Sequence, residues 1–223
     1  MNHIIGLSGG KDSTAMALRL VEAEPRDYTF VCTPTGNELP DMLAHWEKLE
    51  GLFGKKIIRV THKLDLEGLI IFFNALPNDR MRWCTRMLKI VPYEAWVKRL
   101  EGETISYVGL RADEPEREGI YDSVCVQDFP FRRWGWGIAE VRAYLAERQV
   151  TIPDRTDCAF CYEQKTIEWW KLWKYHPALW ETAKGLEIRT GRTFRHASKG
   201  GLWACSLTEM QARFEAGEIP KFR

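Results

Sequence analysis

Short apolar runs alternate with longer amphipathic stretches from the amino end onward. Residues 3–7 (His-Ile-Ile-Gly-Leu) form a short apolar run that ends at Ser8-Gly9-Gly10, and a helical pattern follows from Asp12 to Glu24 and stops at Pro25. Tyr28–Cys32 reads as a second strand, broken by Thr33-Pro34-Thr35-Gly36, and Pro40–Phe53 as a helix with Met42, Leu43, Trp46, Leu49, Leu52 and Phe53 on one stripe. Lys56–Thr61 predicts a third strand and Leu64–Leu76 a helix. Thr85–Leu100 predicts another helix, with Pro92 at a kink or first turn. Thr104–Leu110 and Ser123–Gln127 complete the strands. Beyond them the chain is helix and loop, with helices predicted over Gly137–Arg148, Thr166–Leu186 and Leu207–Ala216, the last capped by Ser206 three residues before Glu209.

Strands that alternate with helices specify an α/β fold, here a doubly wound, mostly parallel sheet with a helical, cysteine-containing C-terminal region. The expected division is a nucleotide-binding α/β domain over 1–128 and a helical region over 129–223 packed on it. At 223 residues there is ample length for a core, and 45% apolar with 28% charged residues is ordinary globular usage. Lys and Arg number 32 against 31 Asp and Glu, so the total charge is not that of a strongly basic nucleic-acid binder. No apolar run is long enough to span a membrane and the first residues lack the pattern of a secretory leader, so the expected location is the cytoplasm. There, six cysteines read as metal ligands or reactive thiols before disulfides.

Ser8-Gly9-Gly10-Lys11-Asp12-Ser13 lies where the first strand hands over to the first helix. Glycines let the backbone approach an anion, and the helix start offers free N–H groups and a positive dipole end. Ser8, Ser13 and Lys11 add donors and charge, while Asp12 makes sense if Mg²⁺ sits beside the phosphates. Gly-Gly alone reads first as a tight turn with an N-cap. The string is not a Walker A loop, because Ile5 stands where that pattern needs Gly and Lys11 is followed by Asp12.

The string Ser-Gly-Gly-Lys-Asp-Ser after an N-terminal strand resembles the pyrophosphate loop of the PP-loop ATP pyrophosphatase superfamily. Residues 33–40 (Thr-Pro-Thr-Gly-Asn-Glu-Leu-Pro), 83–92 (Trp-Cys-Thr-Arg-Met-Leu-Lys-Ile-Val-Pro) and 109–114 (Gly-Leu-Arg-Ala-Asp-Glu) are similar to segments of the phosphoadenosine phosphosulfate (PAPS) reductase family within it. The resemblance implies an adenine nucleotide alpha hydrolase-like fold, and cleavage of ATP between its α- and β-phosphates with adenylation of a substrate. It implies nucleotide binding by Ser8, Gly9, Gly10, Lys11, Asp12, Ser13, Thr33, Thr35 and Gly109, catalysis by Lys11, Asp12, Lys89 and Arg111, and adenine near Cys32–Thr35. Pro34 stands where many relatives have Asp.

Sulfonucleotide reductases of that family alter the loop and carry a nucleophilic Cys in a C-terminal Glu-Cys-Gly element. This chain keeps Ser-Gly-Gly-Lys-Asp-Ser, and its last cysteine lies in Trp203-Ala204-Cys205-Ser206-Leu207. Both departures favour ATP use coupled to sulfur transfer. Reduction of adenylyl sulfate and a non-catalytic nucleotide-binding partner subunit are the alternatives. Cys158 and Cys161 form a Cys-x-x-Cys element, and Cys84 lies in the stretch that resembles the family's cluster-binding region. Three thiolates with an open position suit a [4Fe–4S] cluster, and Cys205 as a fourth suits a closed cluster or structural Zn²⁺. Cys32 and Cys125 read as core residues. The implied partners are an adenine nucleotide, a sulfur donor, a nucleic-acid or small-molecule acceptor, and a second copy or partner subunit.

Arg80, Arg82, Arg86 and Lys89 flank Cys84 and read as a solvated face or as phosphate or nucleic-acid contacts. Arg189, Arg192, Arg195, His196 and Lys199 form a second basic run. Trp169, Trp170 and Trp173 read as core before base-stacking residues. There is no Ser-His-Asp constellation and no His-Glu-x-x-His.

Overall fold

Buried β-formers at alternate positions build the centre of the molecule. The computed structural model describes residues 1–121, 123–195, 203 and 205–221. Five strands, β1 (Asn2–Gly6), β2 (Tyr28–Cys32), β3 (Ile57–Arg59), β4 (Thr104–Tyr107) and β5 (Val126–Asp128), form one sheet in the order β3-β2-β1-β4-β5. Every pairing is parallel, with Ile5 facing Phe30 on one side and Tyr107 on the other. A parallel sheet needs both faces covered, and the alternation along the strands divides them. Ile5, Phe30 and Tyr107 join one core with Met16 and Leu20 of α1 (Lys11–Ala23) and Met42, Trp46 and Leu49 of α2 (Pro40–Phe53). Ile4 and Val31 point the other way, onto Tyr93 and Val97.

The chain divides into two compact units, 1–62 with 87–156, and 63–86 with 157–223. The boundary expected after residue 128 followed the loss of strand alternation, but two helices beyond it share the sheet's core. These are α6 (Pro130–Trp134) and α7 (Ile138–Glu147), which contribute Phe131, Val141, Tyr144 and Leu145. Arg148 clamps Glu22 of α1 through two hydrogen bonds of 2.8 Å, and the Tyr144 hydroxyl donates to the same carboxylate at 2.8 Å. In the chain between them, α3 (Leu66–Phe73) and α4 (Trp83–Thr85) precede a π-helical turn (Arg86–Ile90) and α5 (Val91–Val97). Pro92 sits where the π-helical turn passes without a break into α5, and the widened turn accommodates a residue that cannot donate to the helical ladder.

The second unit is built on aromatic packing. The helix predicted over Thr166–Leu186 is two, α8 (Thr166–Tyr175) and α9 (Pro177–Thr190), because Pro177 ends the hydrogen-bond ladder and starts a new helix. Trp169 and Trp180 are fully buried with ring centroids 6.3 Å apart, and Phe214 of α10 (Leu207–Glu215) lies 5.9 Å from Trp180. Trp169 is thus core, as its spacing predicts. Ser206 caps α10 by accepting the Glu209 N–H at 3.2 Å. Arg195 of the second basic run is buried rather than solvated, with Nη1 3.9 Å from Met210 Sδ. His196 and Lys199 lie outside the described residues.

Glu187 of α9 is buried and accepts the backbone N–H groups of Phe194 (2.8 Å) and Leu207 (2.7 Å). Burial pushes its carboxyl up from 4.5 to about 7, against the pull of those two donors. A carboxyl raised in the folded state favours folding in its protonated form. Its contribution is therefore full below the unfolded value and is lost as pH climbs to about 7. Urea denaturation across that range shows stability falling with rising pH, and Glu187→Gln flattens the dependence while lowering stability at acid pH by about 1–3 kcal/mol, the cost of an ill-matched buried donor.

Candidate nucleotide-binding site

The strand order reverses at β1: β2 and β3 lie on one side and β4 and β5 on the other. Such a switch point opens a crevice at the carboxyl ends of the strands, where open parallel sheets bind ligands. The loop after β1 and the loop after β4 enclose it. Leu7 continues the ladder through its N–H to Val31 O at 2.7 Å, and the chain then turns sharply through Ser8-Gly9-Gly10 into α1.

Gly9 has φ +86°, and a Cβ there would fall 2.1 Å from Met42 Cε and 2.9 Å from Trp46 Nε1. Trp46 also donates its indole N–H to Ser8 O at 3.0 Å, so α2 grips the loop from behind. Inside the turn the Ser8 and Ser13 hydroxyls are 3.0 Å apart, the Gly9 N–H reaches Ser13 Oγ at 3.2 Å, and Ser13 donates to Gly10 O at 3.1 Å. The first helical bond is Thr14 N–H to Gly10 O at 3.0 Å. The N–H groups of Lys11, Asp12 and Ser13 precede it and take no part in the helical ladder.

The electrostatic centre is Asp12. Its Oδ2 accepts from Lys11 Nζ at 2.8 Å and Arg111 Nη1 at 3.0 Å. Its Oδ1 is buried and has no hydrogen-bond partner. Arg111 bridges three carboxylates, adding Asp113 at 2.9 Å and Glu114 at 3.1 Å. Burial works against its charge, but the hydrogen bond to Asp113 and the charges of Asp12 and Glu114 outweigh it and hold its pKa up. Asp113 is held below the usual carboxylate range, first by the Ile138 backbone N–H and then by Arg111. Gly109 lies against the first turn of α1, where a Cβ would stand 3.4 Å from Asp12 C and 3.5 Å from Ser13 N.

The structure therefore brings together Ser8, Gly9, Gly10, Lys11, Asp12, Ser13, Gly109 and Arg111. Thr33 and Thr35 follow β2 on the same sheet edge. Thr35 Oγ1 donates to Glu38 Oε1 at 2.7 Å, and Glu38 also accepts the N–H groups of Thr35 (2.6 Å) and Gly36 (3.0 Å). Glu38 thus holds the post-β2 loop in shape. Its Thr-x-x-Glu spacing is the sign that would have found it. Lys89 is exposed on the π-helical turn before α5. Glu114 and Trp46 are further parts of the site's frame that motif reading left without a role.

The cysteines separate into two groups. Burial pushes the Cys32 thiol up to about 12, which suits a core residue, and Cys125 packs against the core of the opposite sheet face. In the second unit, Cys161 N–H bonds to Cys158 O at 3.2 Å, so the Cys-x-x-Cys element is a single turn. The turn of Cys84 lies beside it: Arg82 is 4.0 Å from Glu163, and Cys84 raises the Tyr162 phenol's pKa, after burial and the hydrogen bond to Glu163. Cys205 is half-buried and acts electrostatically on Arg195. Among the described residues no three Cys, His, Asp or Glu side chains converge as ligands of one metal ion. The expected set of Cys84, Cys158, Cys161 and Cys205 is therefore not arranged as a single-ion site, which is the geometry structural Zn²⁺ requires. Among the described residues no helix is long and apolar enough to cross a membrane.

Two glycines give opposite outcomes on substitution. Gly9→Ala destabilises by about 2–4 kcal/mol, combining a positive-φ penalty with overpacking. Gly51→Ala, inside α2 with open space around it, stabilises by about 0.5–1 kcal/mol. Urea melts of the two variants check both signs.

Comparison with known proteins agrees with this geometry. A crystal structure of phosphoadenylyl-sulfate (PAPS) reductase from Candida auris, a phosphate complex, superposes with a TM-score of 0.53 over 68% of this chain and 75% of that one, at 18% identity. That likeness is one of fold. An uncharacterized protein of Methanocaldococcus jannaschii is 25% identical over 194 residues, which are 80% of this chain and 40% of the relative. The chain thus spans about two fifths of the length of that relative. The phosphoadenosine phosphosulfate reductase domain matches residues 2–152, a span that takes in all five strands and both loops of the crevice, and the chain belongs to that family within the PP-loop superfamily.

Proposed function

We propose that the chain binds ATP with Mg²⁺ on residues 8–13 and cleaves it between the α- and β-phosphates, adenylating an acceptor as the first half of a sulfur transfer. The observation that carries this reading is Asp12 Oδ1, a buried carboxylate oxygen without a partner at the mouth of an anion-binding turn. A buried unsatisfied oxygen calls for an ion or water, and a carboxylate beside a phosphate site is the ligand type Mg²⁺ takes. The loop that sulfonucleotide reductases alter is intact here.

The chain's own groups divide the work. The N–H groups of Lys11, Asp12 and Ser13 and the dipole of α1 receive phosphate oxygens. Lys11, ion-paired to Asp12 in this structure, would turn its ammonium to the same phosphates. Arg111 is a positioning residue for Asp12. Lys89, Thr33 and Thr35 are the assigned contacts to the rest of the nucleotide or the acceptor, Thr35 through the loop it shares with Glu38. An acceptor oxygen attacks the α-phosphorus, the Pα–O bond to pyrophosphate breaks, and the charge that develops on pyrophosphate is met by preorganised donors and cation. Divalent metal, when bound at Asp12, supplies Lewis-acid stabilisation of that charge. A [4Fe–4S] cluster on Cys84, Cys158 and Cys161, with its fourth iron open, would hold the sulfur species to be transferred, whereas Cys205 as a fourth ligand would close it.

Pyrophosphate release from Mg²⁺·ATP, assayed against small-molecule and nucleic-acid acceptors, tests the reading. Asp12→Asn lowers it by about 10²-fold or more, the worth of several kcal/mol of metal-borne stabilisation, and removes its dependence on Mg²⁺ concentration. Tight binding of adenylyl sulfate with no pyrophosphate from ATP would instead make the protein a sulfonucleotide reductase.

A further inference from the structure

Helix α3 carries the sequence Leu-Glu-Gly-Leu-Ile-Ile-Phe-Phe, yet it buries only Leu66, Leu69 and Ile70. Phe72 is 72% exposed and Phe73 42%. The two rings meet edge to face at 5.2 Å, and Phe73 continues onto Trp83 at 5.1 Å, giving three connected rings. Trp83 is half-buried, with its indole nitrogen buried and without a hydrogen-bond partner, whereas Phe72 and Phe73 face solvent at a hydration cost that a folded domain ordinarily avoids. The loop that follows α3 is braced rather than loose: Asn78 Oδ1 accepts the N–H groups of Arg80 and Met81, both at 3.0 Å. It presents Arg80 and Arg82, and Arg86 follows one turn later, all exposed. Two acids share this surface, Asp79 in the loop and Glu163 at 4.0 Å from Arg82.

We propose that Phe72, Phe73 and Trp83 with Arg80, Arg82 and Arg86 form a binding surface for single-stranded nucleic acid. Aromatic faces take unpaired bases regardless of their identity, and guanidinium groups take the intervening phosphates. A duplex keeps its bases stacked on one another and offers such rings nothing. The charge complementarity distinguishes this occupant from an apolar partner, for which three exposed arginines in the loop and turn on either side of Trp83 would be a desolvation cost. In naming the acceptor's class the inference rests on the adenylation reading above, while strand binding itself requires no nucleotide.

Fluorescence anisotropy with labelled oligo-dT and oligo-U, in the absence of ATP, tests it on the full chain. The wild type binds both strands with strong salt dependence and binds a duplex of equal length more weakly. Phe72→Ala, at a solvent-facing position, weakens binding about tenfold or more. Arg80→Ala and Arg86→Ala each reduce the slope of log affinity against log salt by about 0.7. No binding at low salt, equal affinity for duplex, or an unchanged affinity in Phe72→Ala would overturn the proposal. So would self-association that Phe72→Ala abolishes, which would make the surface a contact between copies. Pyrophosphate release measured on the same preparations separates the two ideas, since strand binding can fail with ATP cleavage intact, and the reverse.

Discussion

The site depends on one carboxylate shared unequally. Asp12 gives one oxygen to Lys11 and Arg111 and keeps the other buried and bare. Its two cations come from neighbouring strands at the sheet's reversal point, Lys11 from the turn after β1 and Arg111 from the loop after β4. The pair therefore fastens together two loops that are 99 residues apart in the chain. Arg111 is itself fixed by Asp113 and Glu114, and Asp113 by the start of α7. The rigidity of the crevice thus passes from a helix terminus, through a carboxylate and a guanidinium, to the residue best placed to meet a cation.

Much of this was legible from residue order. The β1 turn, the second strand over Tyr28–Cys32 and the helix over Pro40–Phe53 follow from period and punctuation, because Pro25, Pro40 and the glycine pair stop one element and start the next. The grouping of elements was not. Nothing local in Leu66–Phe73 says that it shares a unit with α8 and α9 while the neighbouring α5 covers the sheet. Such grouping is set by long-range packing. Pro177 was readable and outweighed by the run of tryptophans around it: the apolar stripe continues across the break, although the backbone ladder does not.

The candidate residues divide in the same way. Those contributed by the β1 turn and by 109–111 come together because backbone geometry alone dictates their place. The thiols of Cys84, Cys158 and Cys161 come into one unit without converging on an ion, since ligand geometry is a property of several loops and no single spacing records it. Glu38 went unassigned because its task is to hold a loop, and a holding residue carries no chemical signature beyond its offset from Thr35.

The packing of Gly9 against Met42 and Trp46 has an evolutionary corollary. The missing side chain at one position is the space in which two others stand, and the indole that fills it also tethers the carbonyl of Ser8. These three positions are therefore a single unit of variation. Divergent descendants should either keep all three residue types or exchange them as a set, and a lineage that has lost the glycine should show its helix α2 displaced and its anion-binding turn open.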